Sequence, residues 1–146
     1  MHLTITGKCP NVDRATLKRA VTFYAEYLNI TKNKADLVLD FEKNLCKNFG
    51  DEGYCVNEGG GKYNITIDST FGKRKILIAL AHEMVHLKQN IKRELFWNER
   101  TKMHRFKGQT YRSDMNYWDC PWEIEAFGRE LGLYKMFMQL DGENNA

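Results

Sequence analysis

Two histidines four residues apart, with a glutamate beside the first, pose a question of chemistry: His82-Glu83-Met84-Val85-His86. On a helix, residues i and i+4 project from one face, a turn apart. His82 and His86 then aim two imidazoles at one point, as a tetrahedral Zn²⁺ with bonds of about 2.0–2.1 Å requires. Glu83 sits one step round the helix. It can reach a metal-bound water without ligating, taking that water's proton and returning it to a leaving amine. The pattern is H-E-x-x-H.

A catalytic zinc site needs a third protein ligand and one open position. The position where an extended metzincin motif carries histidine is Lys92. The remaining candidates are His104, in a basic stretch, and Glu123 or Glu125, in CPWEIEAFGRE. The two glutamates are about 200° apart on a helix, so one ion takes only one of them. A carboxylate carried on a helix is held more rigidly than a histidine on a loop, which favours the glutamates. Peptide hydrolysis also needs a donor for the developing oxyanion. Tyr111, Arg112, Tyr117 and His104 are the candidates. Trp118 and Trp122 are expected to pack around the site.

These groups need a scaffold. Lys73 to about Ile91 holds no Gly or Pro and is rich in helix formers, so it is read as the helix that carries the motif. Before it, His2–Thr6, Asp36–Phe41, Tyr54–Asn57 and Tyr63–Asp68 read as strands, the last two joined as a hairpin across Glu58–Gly61. Asn11 or Asp13 caps a helix running to about Leu28. Glu42 to Asp51 stays unassigned. From Lys92 to Asp119 the chain reads mainly as a long polar, basic and aromatic loop, with a short helix near 94–103. Pro121 opens a last helix to about Gln139. The expected fold class is α+β, a mostly antiparallel sheet packed against helices. One domain is expected over residues 1–140, with 141–146 as a frayed tail.

The chain has 146 residues and a net charge of +3. Between Lys73 and Arg112 eleven basic residues face only Glu83, Glu94 and Glu99. That surface is either a solvated face or a groove for an acidic partner such as nucleic acid. The four cysteines, Cys9, Cys46, Cys55 and Cys120, form no Cys-x-x-Cys pair, which argues against a cysteine zinc knuckle. Free thiols, no signal-peptide pattern and no long apolar run set the expectation of a cytoplasmic protein with no membrane contact.

With HEMVH followed by WEIEA, the chain resembles the zincin metallopeptidases of the gluzincin kind. The E-x-E-A run is similar to the third-ligand segment of ImmA/IrrE-type minimal zincins, and the whole arrangement resembles small zincin-like metallopeptidases encoded by bacteriophages. There is a more distant similarity to the SprT-like family, which shares HEM-x-H. The resemblance spans Tyr63 to about Leu133. It implies a minimal zincin fold, a zinc metallopeptidase acting on peptide or protein, and Glu123 as third ligand. For a phage protein it places the activity in the host cytoplasm. In the related families a polar residue four positions after the ligand glutamate orients a histidine. Here that position is Phe127, so support is expected from elsewhere, such as Asp119 or a backbone carbonyl. Zincins also take substrate along a sheet edge beside the motif helix, for which Lys62–Asp68 is the candidate. The alternative to a peptidase is a zinc-binding module without turnover, contacting nucleic acid or nucleic-acid-bound proteins.

Overall fold

A computed structural model describes residues 1–145. Strand β1 (His2–Thr6) leads into helix α1 (Arg14–Tyr27), whose first turn is capped by the Asp13 carboxylate accepting from the Thr16 amide at 2.7 Å. Strand β2 (Asp36–Glu42) and the short helix α2 (Leu45–Phe49) follow. Next come the hairpin strands β3 (Gly53–Gly59) and β4 (Lys62–Asp68) and the long helix α3 (Lys73–Ile91). The hairpin turns at Gly60 and Gly61, with φ of 62° and 78°, a backbone that only glycine adopts without strain.

The main sheet runs in the order β1-β2-β4-β3 and is mixed. β1 pairs parallel with β2, and β2 parallel with β4; only β3–β4 is antiparallel. This corrects the expectation of a mostly antiparallel sheet. Alternating strands look the same in either sense, but α1 supplies a crossover between β1 and β2, and β3 carries the chain back so that β4 enters beside β2 in the same direction. The edge assignment is corrected too. β4 lies inside the sheet, and the edge strand near the motif helix is β3. Residues Ile65 to Asp68 are all buried, as befits an interior strand.

The stretch read as a loop folds into a second, three-stranded antiparallel sheet: β5 (Leu95–Asn98), β6 (Met103–Phe106) and β7 (Gln109–Arg112). No helix forms near 94–103. Its strands are four residues each, and their inner side closes on Trp122, with Phe106, Cys120 and Trp122 forming a small cluster of their own. A 3-10 turn (Tyr117–Asp119) then delivers Pro121, where α4 (Pro121–Asn145) starts. α4 passes through most of the segment set apart as a tail. Asp141 accepts from Arg19 Nε at 2.6 Å, tying this end of α4 to α1. Ala146 lies outside the described residues.

One apolar core joins the sheet to the helices. Leu37, Leu39, Ile65 and Ile67 meet Leu17, Tyr24, Leu77, Leu80 and Met84 in it, and α4 adds Ala126, Leu133 and Phe137. Tyr24 donates its buried hydroxyl to the Leu77 carbonyl at 3.0 Å. Thus α3 lies between the sheet and α4, and residues on two of its faces are fixed by packing before any metal is considered. Among the described residues no helix is long and apolar enough to cross a membrane.

Candidate metal centre

α3 and α4 pack side by side. Their contact brings His82, His86 and Glu123 together as a group able to hold a metal ion. The Nε2 atoms of His82 and His86 are 3.2 Å apart, and Glu123 Oε1 is 3.2 Å from the first and 3.1 Å from the second. Around a tetrahedral ion with bonds of about 2.0–2.1 Å, adjacent ligand atoms lie about 3.3–3.4 Å apart. The observed triangle fits that size closely. All three side chains are largely shielded, with 11% of His82, 12% of His86 and 12% of Glu123 exposed.

The outer ring nitrogens decide what the inner ones offer. His86 Nδ1 is 2.8 Å from Gln89 Oε1. Gln89 Nε2 donates to the Trp122 carbonyl at 3.0 Å and to Glu125 Oε1 at 2.8 Å, which fixes the amide's orientation. Its oxygen must therefore face His86, and Nδ1 donates to it. His82 Nδ1 lies 3.4 Å from Glu130 Oε1, an acceptor, and so donates as well. Each neutral imidazole then presents its Nε2 lone pair to the other and to a carboxylate oxygen. Three electron pairs converging on one point require a cation. This support of each ligand histidine by an oxygen acceptor is the usual arrangement around metals.

Without a metal, protons play that part. Burial works to lower the His82 pKa, but Glu123 and Glu130 outweigh it and push it up to about 9. His86 is raised in the same way, burial being overcome chiefly by Glu123. Burial would raise Glu123, yet its two histidines hold it down to about 2. Tyr117, on the 3-10 turn, donates to the same Glu123 oxygen at 3.0 Å.

Glu83 points elsewhere. It is 6% exposed, and burial pushes its pKa up to about 7 despite the neighbouring histidines. Two cavities, of about 300 and 490 Å³, meet at Glu83 and His82. Edge strand β3 comes in close here because residue 53 is glycine. A Cβ on Gly53 would stand 2.8 Å from the Thr66 carbonyl and 3.5 Å from Glu83 Cγ.

The other candidates are placed apart from the triad. Glu125 serves the buried Lys88, whose Nζ donates to Glu125 Oε2 at 2.7 Å and pairs with Glu94 at 2.7 Å. His104 is in β6, its ring 4.7 Å from that of Trp97 and 4.9 Å from that of Trp122, with Nδ1 buried and unpartnered among the described residues. Tyr111 packs against Trp122, and Arg112 pairs with Asp114 in the open. Both tryptophans pack around the site as expected: Trp122 is buried beside the triad, and Trp118, though exposed, leans on Phe127. Asp119 supports neither histidine. That task falls to Glu130 and Gln89, both missed in the sequence. Glu130 is seven residues after Glu123 and Gln89 three after His86, spacings that keep each on the face of its own helix that carries a triad residue. Phe127 meanwhile sets its ring 4.5 Å from that of His82.

Lys88 is the cation that joins α3 to α4 and to Glu94, the residue just before β5. Replacing it with methionine strands two carboxylates, which usually costs about 3–5 kcal/mol. Arg129 and Lys107, 3.7 and 3.9 Å from Glu125, compensate in part, so about 3 kcal/mol is expected for Lys88→Met in urea unfolding.

No known protein family, no curated protein and no solved structure matches this chain.

Proposed function

We propose that the protein is a zinc-dependent metallopeptidase of the zincin kind, with His82, His86 and Glu123 as metal ligands and Glu83 as general base. One observation carries this reading: a triad of zinc's preferred donors is flanked, on its cavity side, by a buried carboxylate that ligates nothing. Zinc, when bound, supplies a water of lowered pKa and polarises a substrate carbonyl. Glu83 does what the chain itself can do. Its position at the cavity lets it accept a proton from water and hand it to a departing amine, and a pKa near neutrality suits both steps. A cation on the triad would draw that pKa down and make Glu83 the better base. Tyr117 reaches the same space with a hydroxyl and is the best placed donor for a developing oxyanion. The free edge of β3 offers unpaired backbone groups to an extended peptide.

The test is direct. Purified protein should carry about one zinc per chain by elemental analysis and cleave unfolded protein, with cleavage stopped by a chelator and restored by zinc. Stoichiometric zinc with no cleavage of any peptide would sink the peptidase reading. A second reading, a zinc-binding module that contacts nucleic acid, is favoured by residues 92–112, where seven basic residues face two acidic ones around β5–β7. It requires oligonucleotide binding that weakens steeply with salt.

A further inference from the structure

We infer that the cleft selects its peptides by charge, taking acidic residues on the amino-terminal side of the scissile bond and basic residues on the carboxyl-terminal side. This rests on the peptidase reading. Three cavities line up along β3. At the strand's amino-terminal end the 490 Å³ cavity is walled by Asp51, Glu52 and Glu130, with Trp118 and Phe127 opposite, and no lysine or arginine lines it. Lys75 partly neutralises Glu52 from 3.2 Å, and Glu130 is turned to His82, so Asp51 is the carboxylate most open to a ligand. Glu83 is more than nine-tenths buried, lines this cavity and has no hydrogen-bond partner among the described residues. At the strand's carboxyl-terminal end a cavity of about 420 Å³ has Arg93 as its one charged wall, beside Asn57, Asn90 and Phe96. The metal centre's own cavity joins the two, sharing Asp51 and Gly53 with the first and Asn90 and Leu95 with the second.

The two ends of the groove therefore differ in sign, with the triad between them. A peptide joining the free edge of β3 in the antiparallel sense, the more stable pairing, runs against the strand. Its amino-terminal half meets Arg93, and its carboxyl-terminal half meets the acidic, aromatic end, where carboxylates and ring faces both favour a cation. Gly53 and Asn57 are about 13 Å apart along the strand. The side chains that sense the two ends are thus about four residues apart, two on either side of the bond to be cut.

Binding can be read without turnover on zinc-loaded Glu83→Gln protein. Two capped, dye-labelled hexapeptides are compared by fluorescence anisotropy. One has two acidic residues, two alanines and two basic residues; the other is its reverse. The acidic-first peptide should bind about tenfold more tightly at low salt, with the margin shrinking as salt screens it. Arg93→Gln and Asp51→Asn should each reduce the margin to about threefold or less. Equal affinity, no binding of either peptide, or a preference for the basic-first peptide overturns the inference. Wild-type protein on an unbiased peptide library separates the two claims. Cleavage without charge bias overturns the charge selection alone, whereas zinc-loaded protein that cuts nothing overturns the peptidase reading.

Discussion

Glu83→Gln should retain its zinc and lose hydrolysis, with kcat down by about 10²–10⁴-fold, the share a positioned general base contributes. The substitution is nearly isosteric, and Glu83 touches neither the triad side chains nor their supports through any hydrogen bond among the described residues. On the peptidase reading its effect is confined to proton transfer. The stability change has the opposite sign to the activity change. A carboxylate 6% exposed is costly to keep charged, and burial is the main reason its pKa climbs to about 7. The amide carries no charge to desolvate, so Tm should hold or rise. Zinc content, kcat and Tm measured on one preparation distinguish this from a folding defect. Loss of zinc in Glu83→Gln would show that Glu83 belongs to the coordination sphere rather than beside it.

His86→Ala or Glu123→Ala should abolish zinc retention through gel filtration. Removing a supporting acceptor, as in Glu130→Ala, typically costs only about 10–100-fold in metal affinity, and loss of a ligand costs more. The site's protons set the pH dependence. In the metal-free protein His82 titrates at about 9 rather than the ordinary 6.5, so at pH 7 a metal must displace a proton. Zinc affinity should therefore rise from pH 6 to pH 9, with proton release visible by calorimetry in buffers of different ionisation heats. The stability of the metal-free form follows the other direction. A raised histidine pKa contributes fully below about 6.5 and is lost as pH rises through about 9. Metal-free protein should soften over that interval, and zinc-loaded protein should not.

How much of this was readable in advance depended on whether the physics was local. The motif helix was, because an unbroken run of helix formers from Lys73 to Ile91 determines its own conformation and, with it, the shared face of His82 and His86. That only one of Glu123 and Glu125 could face the metal also followed from helical geometry. Which one did not, because it depends on Lys88 and Gln89 taking Glu125 from the other helix. β5–β7 escaped for a related reason. Four-residue strands bearing Arg105, Gln109 and Arg112 have little intrinsic preference, and they become a sheet by closing over Trp122. Strand order is likewise a property of pairs: nothing within KYNITID says that it is flanked on both sides, or that Gly53–Gly59 is left at the edge.

His86 and Glu123 are separated by 37 residues, and that interval contains the whole of β5–β7. An ion gripping both ends is a cross-link, and the chain between becomes a closed loop. A permanent tie across a loop of this length removes unfolded-state entropy equivalent to about 4 kcal/mol. The small sheet has only a few buried side chains of its own, so much of its persistence is then borrowed from the metal. Zinc supply would set more than the rate of the chemistry: it would also govern how readily residues 92–119 are nicked by other proteases.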